Sequence, residues 1–294
     1  MNPAQLRAST VIAPMVVNIW SRATGKSFLI GWYMHLIVRW MPRALVGIVG
    51  RTYKEMLTNT MQSTMDALER LGYVEGVHYW ARRRPPKSAT FWRPPFNRVY
   101  EWGYAFTFYN GATFLLMSQD REGGNRGASL DAVICDEGLN LDLQKFEREI
   151  PAANRGNRDR FRDVPFHHAV FIQSSMPWTS EGQWLLDYGD YYQANNDNNK
   201  QLKQDLCELQ LDFIDAPDVA TRKNILPRIV RLMREFKHYP SPDGVFFHEA
   251  TVFDNLHNLG VGYLKSLRRS IPTESSFLIE VLNKRFDRLD DGFY

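Results

Sequence analysis

One short segment restricts the fold of this chain more than any other. An apolar run, Val11 to Trp20, precedes the sequence SRATGKS, and a helix-like run from Ser27 to Trp40 follows it. The apolar run predicts a buried strand. A strand, a loop ending in Gly25-Lys26-Ser27 and a helix allow backbone N–H groups and a helix N-terminus to surround phosphate groups. The segment therefore predicts a nucleotide site within an α/β sheet.

The loop departs from the usual phosphate-binding pattern at its first position. That pattern begins with a Gly five residues before Gly25, where this chain has Trp20. Lys26 would still reach the β and γ phosphates, and the Ser27 hydroxyl would bind Mg²⁺. Trp20 leaves a second interpretation open, in which the loop is degenerate and the chain is a non-catalytic adaptor or scaffold.

A second segment, AVICDE, supplies the carboxylates that a hydrolytic site requires. Four apolar residues end in Asp136 and Glu137, which predicts a buried strand with two acids at its carboxyl end. Asp136 would hold Mg²⁺ through water, and Glu137 would orient and deprotonate an attacking water. Taken alone, the two acids could be a structural turn after a strand. Together with Gly25-Lys26-Ser27 they favour ATP or GTP as the ligand.

Further apolar runs extend the predicted sheet. Arg43 to Arg51 and His168 to Pro177 each predict a buried strand, and Asn110-Gly111 between alternating runs predicts a hairpin. Short apolar strands separated by helical runs are typical of an α/β fold with a mostly parallel sheet flanked by helices. We predict a P-loop domain over residues 1–239 and a small helical appendage over residues 240–294, divided near YPSPDG.

Composition narrows the class of protein further. The two cysteines have no C-x-x-C spacing, which excludes zinc ribbons and disulfide frameworks. The net charge of +3 does not by itself indicate a nucleic-acid binder. A basic, aromatic stretch from Arg82 to Arg98 could contact phosphates or be a solvated loop. No secretory signal or run of about 20 apolar residues is present, so the sequence predicts a soluble intracellular protein without a membrane span.

In combination, the motifs resemble the ATPase domain of the large terminase subunit of tailed bacteriophages. In that family an Arg often lies in the P-loop and its first Gly can be lost, as with Arg22 and Trp20 here. Gln5 lies twenty residues before Gly25, similar to an adenine-recognising Gln, and Arg126-Gly127 precedes the acidic strand. The resemblance implies a RecA-like P-loop NTPase (ASCE) fold that hydrolyses ATP with Mg²⁺ to move viral DNA.

The resemblance also implies roles for individual residues. Arg126 would be an arginine finger acting on ATP bound to a neighbouring subunit, and Glu137 would be the catalytic base. The IQSSMP segment would couple hydrolysis to movement by sensing the γ-phosphate. The implied nucleotide-binding residues are Gln5, Arg22, Ala23, Thr24, Gly25, Lys26 and Ser27; the implied metal ligands are Ser27 and Asp136; the implied coupling residues are Gln173, Ser174 and Ser175.

The implied partners are double-stranded DNA, the portal protein of the procapsid, the small terminase subunit and further copies of the chain in a ring, in the host cytoplasm. Large terminases normally continue into an RNase H-like nuclease, which we expect to be absent here, so we expect no DNA cleavage. A helicase-like ATPase is an alternative, although it would need a second RecA-like domain. A small-molecule P-loop kinase is disfavoured, because it does not need the Asp136-Glu137 pair to activate water.

Overall fold

A computed structural model describes residues 1–11, 13–120, 127–194, 205, 208–209, 211–213, 215–238 and 244–285. The strands are Met15–Trp20 (β1), Leu45–Gly50 (β2), Tyr79–Ala81 (β3), Ala105–Phe108 (β4), Thr113–Ser118 (β5), Ala132–Cys135 (β6), Val170–Ser174 (β7) and Val245–Ala250 (β8). The α-helices are Pro3–Thr10 (α1), Lys26–Trp40 (α2), Tyr53–Glu55 (α3), Met61–Arg70 (α4), Leu143–Ala153 (α5), Arg158–Phe161 (α6), Trp184–Ala194 (α7), Val219–His238 (α8), Leu256–Ser270 (α9) and Glu274–Glu280 (α10).

The strands form one sheet in the order β3-β4-β5-β2-β6-β7-β1-β8. From β5 to β8 every pairing is parallel, and β3 and β4 add an antiparallel edge. This confirms the predicted mostly parallel sheet, including the hairpin around Asn110-Gly111 between β4 and β5. Since β1, β7 and β6 are parallel neighbours, their carboxyl ends meet at one edge of the sheet.

Burial explains why the central strands are continuous apolar runs. All residues of β2 and β6 are buried, as are all residues of β1 after Met15. A parallel strand covered by helices on both faces has no solvent side, so polar alternation is not expected. On one face, Tyr33 of α2 stacks on Phe171 of β7 with ring centroids 4.1 Å apart. That contact fixes α2, and therefore the loop that precedes it, against the centre of the sheet.

The segment 240–294 is not wholly helical as predicted, because β8 pairs with β1 along its whole length and completes the sheet. Its side chains Phe246 and Phe247 are buried in the main core. The apolar start of β8 directly follows the turn sequence, so the sequence pattern did not predict a strand there. Residues 239–243 of the predicted boundary lie outside the described residues, and the division into two domains stays a prediction.

After β8 the chain forms a small helical unit, which we call the C-terminal helices: α9, α10 and the residues that connect them, 251–285. A separate small core of Val252, Ile271 and Val281 holds this unit together. Partly buried Ala23 of the loop after β1 packs against that core. The C-terminal helices therefore contact the loop directly. No helix of the described residues is long and apolar enough to cross a membrane.

Candidate nucleotide site

The loop between β1 and α2 has the backbone shape that phosphate binding requires. Ala23 and Gly25 both have positive φ, 62° and 92°, and α2 begins directly afterwards at Lys26. A Cβ at Gly25 would lie 2.3 Å from Nε2 of Gln5. The left-handed backbone favours glycine at this position, and a larger residue would also have to displace the end of the Gln5 side chain.

Lys26 reaches across the loop towards the neighbouring strand. Its Nζ donates to the carbonyl oxygen of Trp20 at 2.9 Å and lies 3.1 Å from Oγ of Ser175, directly after β7. Burial lowers the pKa of Lys26, while the nearby carboxylates of Glu137 and Asp136 act in the opposite direction. The Lys26 ammonium group therefore contacts neutral oxygen atoms and lies near two acids, where it could bind an anionic ligand.

The two acids after β6 have different environments. Thr60, at the end of a π-helical turn, donates its hydroxyl to Asp136. Burial, reinforced by the charge of Glu137, raises the pKa of Asp136 to about 6. Glu137 has a left-handed backbone with φ 48°, and its Oε2 lies 3.4 Å from Oγ of Ser175. Adjacent carboxylates thus point to different places, as two separate roles require.

A cavity of about 350 Å³ contains the residues predicted to hold the metal ion. Ser27 and Asp136 line it, together with Glu137 and Asn140. Hydroxyl, carboxylate and amide oxygens are the ligands that Mg²⁺ prefers, and Mg²⁺ commonly keeps several waters and binds one or two carboxylates plus phosphates. The donor set therefore fits Mg²⁺, which Ser27 could bind directly and Asp136 through water.

A second cavity of about 470 Å³ lies against the loop itself and shares Lys26, Ser27 and Glu137 with the first. Its walls also include Ser175 and Trp178. Through these shared residues the two cavities adjoin each other at the carboxyl ends of β1, β7 and β6. A larger cavity of about 660 Å³ lies elsewhere, around Tyr53 and Phe96, and contains none of the predicted site residues. The residues predicted to bind a nucleotide therefore lie at the edge beyond the carboxyl end of β1.

The N-cap residue of α1 and a residue of its first turn hold the loop from one side, and we call these two, Asn2 and Gln5, the N-terminal clamp. Nδ2 of Asn2 donates to the carbonyl of Thr24 at 2.7 Å, and Nε2 of Gln5 donates to the carbonyl of Gly25 at 3.0 Å. The two side chains also cap each other's backbone N–H groups. Gln5, predicted to recognise adenine, thus supports the loop in this structure. Asn2 carries no motif and was not predicted.

The C-terminal helices hold the loop from the other side. Nδ2 of Asn255 donates to the carbonyl of Ala23 at 2.7 Å, and Nδ2 of Asn283 donates to the carbonyl of Ile19 at 2.8 Å. The predicted nucleotide ligand Arg22 forms an ion pair with Glu280, its Nε 2.9 Å from Oε2. Asn255, Asn283 and Glu280 were not predicted, because single polar residues more than 200 positions away leave no pattern near the loop.

Trp20 does not obstruct the site, although it replaces the first Gly of the pattern. Its side chain is fully buried, and its indole Nε1 donates to Nδ1 of His248 on β8 at 3.1 Å. Its carbonyl oxygen still accepts a hydrogen bond from Lys26. The large side chain therefore serves the packing of β1 against β8, while the backbone serves the loop.

The remaining predicted residues have mixed outcomes. Thr24 is buried and its hydroxyl closes the loop onto the carbonyl of Ser21 at 2.7 Å, so it lines neither cavity. Oγ of Ser174 accepts from the backbone N–H of Leu139 at 2.9 Å, which joins β7 to the acidic turn. Gln173 is buried and lines neither cavity, and its part in sensing the γ-phosphate stays a prediction. Arg126 lies outside the described residues.

The alternation of side chains along β7 explains the position of Gln173. Phe171 stacks on α2, so Gln173, two residues later, faces the same helix. Its partner across the sheet is Asn18 of β1, which donates to the Tyr33 hydroxyl at 3.4 Å. Only Ser175, beyond the end of the strand, reaches the loop and Glu137. Of the coupling segment, Ser175 is therefore the residue placed beside the phosphate position.

Comparison with solved structures identifies the fold. The ATPase domain of the large terminase of Thermus phage P74-26 is 15% identical, with a TM-score of 0.54, covering 96% of this chain and 92% of that one. The large terminase of another, thermophilic bacteriophage is 11% identical, with a TM-score of 0.57, covering 95% of this chain. Structures of this second terminase in complex with ADP (12% identical, TM-score 0.53) and with ATP-gamma-S (11%, 0.53) match over 96% of this chain.

This chain spans about half of the second terminase, between 52% and 53% of its length. No protein-family model matches the chain, and a search of curated protein sequences finds no match. At these identities the likeness concerns the fold, which agrees with the predicted RecA-like P-loop architecture. The chain therefore has the fold of phage large terminase ATPase domains.

Proposed function

We propose that this chain is an Mg²⁺-dependent ATPase whose hydrolysis moves double-stranded viral DNA into a procapsid. The observation that carries the proposal is the convergence of Lys26, Ser27, Asp136, Glu137 and Ser175 at one edge of the sheet. The large terminase of the thermophilic bacteriophage, which shares the fold, has been solved with ADP and with ATP-gamma-S.

The chemistry follows from the position of each group. Backbone N–H groups of the loop and the start of α2 would surround the phosphates, with Lys26 neutralising charge on the β and γ phosphates. Mg²⁺ held by Ser27 and Asp136 would withdraw charge from the phosphate oxygens. Glu137 would accept a proton from a water whose oxygen attacks the γ-phosphorus, and the β-phosphate oxygen of ADP would leave.

Ser175 would link the two halves of this site. Its hydroxyl lies 3.1 Å from Nζ of Lys26 and 3.4 Å from Oε2 of Glu137. A γ-phosphate that binds between Lys26 and Glu137 would replace the contacts that the Ser175 hydroxyl makes with these two side chains. Loss of these contacts would affect Glu137 and the end of β7 together. Ser175 is therefore the residue best placed to couple hydrolysis to movement in the rest of the chain.

The proposed assembly of several copies into a ring depends on Arg126, which lies outside the described residues. Arg126 from a neighbouring copy would stabilise the transition state in a ring; such arginines are worth roughly 10³- to 10⁵-fold in rate. The proposed partners of the ring are the portal protein, the small terminase subunit and double-stranded DNA, in the host cytoplasm.

A helicase-like activity is less well supported, since the described strands form a single sheet. The scaffold alternative rested on Trp20, whose side chain lies outside the site.

The proposal predicts ATP hydrolysis that rises steeply with protein concentration. Arg126→Ala should remove this concentration-dependent rate and leave ATP binding unchanged, because the finger serves a neighbour's site. Arg155→Ala, an exposed arginine after α5, is the matched control and should retain the wild-type rate. Loss of ATP binding in Arg126→Ala would contradict the role of Arg126. A wild-type chain that neither binds nor hydrolyses ATP would favour the scaffold alternative.

A further inference from the structure

The ion pair between Arg22 and Glu280 occupies the place where a nucleotide is expected. Both residues line the cavity of about 470 Å³ that also contains Lys26, Ser27 and Ser175. The backbone N–H of Arg22 donates to the carbonyl of Glu280 at 2.7 Å, in addition to the 2.9 Å contact between Nε and Oε2. The last residue of α10 thus meets the loop with both its backbone and its side chain, and it brings a negative charge to a phosphate site.

The Glu280 carboxylate is more enclosed than the guanidinium with which it pairs. Its side chain is only 19% exposed, whereas that of Arg22 is 62% exposed. Although Oε2 is close to Nε of Arg22, it is buried and receives no aligned hydrogen bond from the described residues. A buried charge without full hydrogen bonding is costly. A phosphate group, with more acceptor oxygens and more charge, is a better partner for a guanidinium.

From this geometry we propose that Glu280 is a determinant of nucleotide binding: it competes with the phosphates of the nucleotide for Arg22. The inference rests on the proposed nucleotide site. When phosphates arrive, Arg22 exchanges the carboxylate for a phosphate oxygen, and the repulsion between Glu280 and the phosphates loosens α10 from the loop. Glu280 therefore weakens nucleotide binding in the isolated chain.

When Arg22 exchanges Glu280 for a phosphate, the contacts at the end of α10 should change as well. The backbone N–H of Val252 donates to the carbonyl of Val281, the residue after Glu280, at 3.3 Å. Asn283, two residues further, holds the carbonyl of Ile19. Loss of the Arg22–Glu280 contact removes the only charged link of the described residues between α10 and the loop. The end of α10 should then open more often when nucleotide is bound.

The test is the affinity of the full chain for ATP-gamma-S, measured by calorimetry, in wild type and Glu280→Gln. The substitution keeps the shape of the side chain and removes its charge, so we expect roughly five- to tenfold tighter binding. Glu249→Gln is the matched control. Glu249 pairs with Arg285 at 2.8 Å, also near the C-terminal helices but outside both cavities, so its loss should leave the affinity unchanged.

A second measurement does not depend on the variant. Amide hydrogen exchange of residues 274–282 in the wild type should become faster when ATP-gamma-S is added. Unchanged or weaker binding by Glu280→Gln, or slower exchange of this segment, would overturn the competition while leaving the proposed ATPase intact. Failure of both wild type and Glu280→Gln to bind ATP-gamma-S would instead refute the proposed function, and this inference with it.

Discussion

The phosphate-binding loop is held from two sides by different kinds of interaction. On the N-terminal side, Asn2 and Gln5 use neutral amides, both buried, to bind backbone carbonyls of the loop. On the C-terminal side, an amide of Asn255 is joined by the charged pair of Arg22 and Glu280. An arriving anion competes directly with a carboxylate for its guanidinium, whereas a neutral bond between an amide and a carbonyl has no charged partner to exchange. We therefore expect the N-terminal clamp to keep its contacts and the C-terminal side to respond to the ligand.

The largest effect is expected where the N-terminal clamp approaches the loop most closely. Gly25→Ala should lower the affinity for ATP-gamma-S by more than about a hundredfold, because its Cβ would lie 2.3 Å from Nε2 of Gln5 and its φ is 92°. Gly72→Ala is the control for the general cost of a left-handed backbone outside the loop. Gly72 has φ 91° but open space around its Cβ, so this control should cost about 1–2 kcal/mol of stability and leave affinity unchanged.

Retention of tight binding by Gly25→Ala would show that the loop is not held rigidly from the N-terminal side. Equal losses of affinity in Gly25→Ala and Gly72→Ala would mean that general destabilisation, and not the contact with Gln5, causes the effect. Thermal unfolding of each variant alongside calorimetry distinguishes these outcomes.

Strand β8, which precedes the C-terminal helices, should make the stability of the chain sensitive to pH. Burial, together with the charge of Arg7, lowers the pKa of His248 to about 4, whereas an unfolded chain has the ordinary value of 6.5. Between these values the unfolded chain binds more protons, so stability falls as the pH drops through this window. From about pH 7.5 to about pH 5 the loss from this one group is about 2 kcal/mol.

His248→Gln tests this prediction, since a Gln oxygen can still accept the hydrogen bond from Nε1 of Trp20. The difference in unfolding free energy between wild type and variant should shift by that amount in favour of the variant at the lower pH. Taking the difference removes groups such as Asp131, whose pKa burial raises to about 6 and which therefore acts in the opposite direction. A difference that does not vary with pH would show that His248 is not buried as described.

The sequence predicted those parts of the fold that depend on local pattern. Continuous apolar runs identified β1, β2, β6 and β7, because strands covered on both faces need no polar positions. The strand β8 was missed, since its sequence VFFHEA contains polar His248 and Glu249 and directly follows a turn. Those two polar residues are tolerated because His248 bonds to Trp20 and Glu249 pairs with Arg285.

The candidate site also has residues that the sequence predicted and residues that it did not. Lys26, Ser27, Asp136 and Glu137 were predictable, because each closely follows a strand, at the start of a helix or in a turn, and parallel strands bring their carboxyl ends together. The residues that hold the loop, Glu280 and Asn255 among them, come from segments remote in sequence. Nothing in their own segments indicates what they contact. Motifs thus predicted the residues that line the two cavities after β1 and β6, but of the residues that hold the loop they predicted only Gln5 and Arg22.

The most direct test of the account is the turnover of ATP by Glu137→Gln. If Glu137 activates water, the variant should hydrolyse ATP at least about a hundredfold more slowly than wild type, while its affinity for ATP-gamma-S stays within about threefold. Glu147→Gln, an exposed acid on α5, serves as the control and should behave as wild type. Undiminished turnover by Glu137→Gln, with Glu147→Gln also active, would contradict the assignment of the catalytic base.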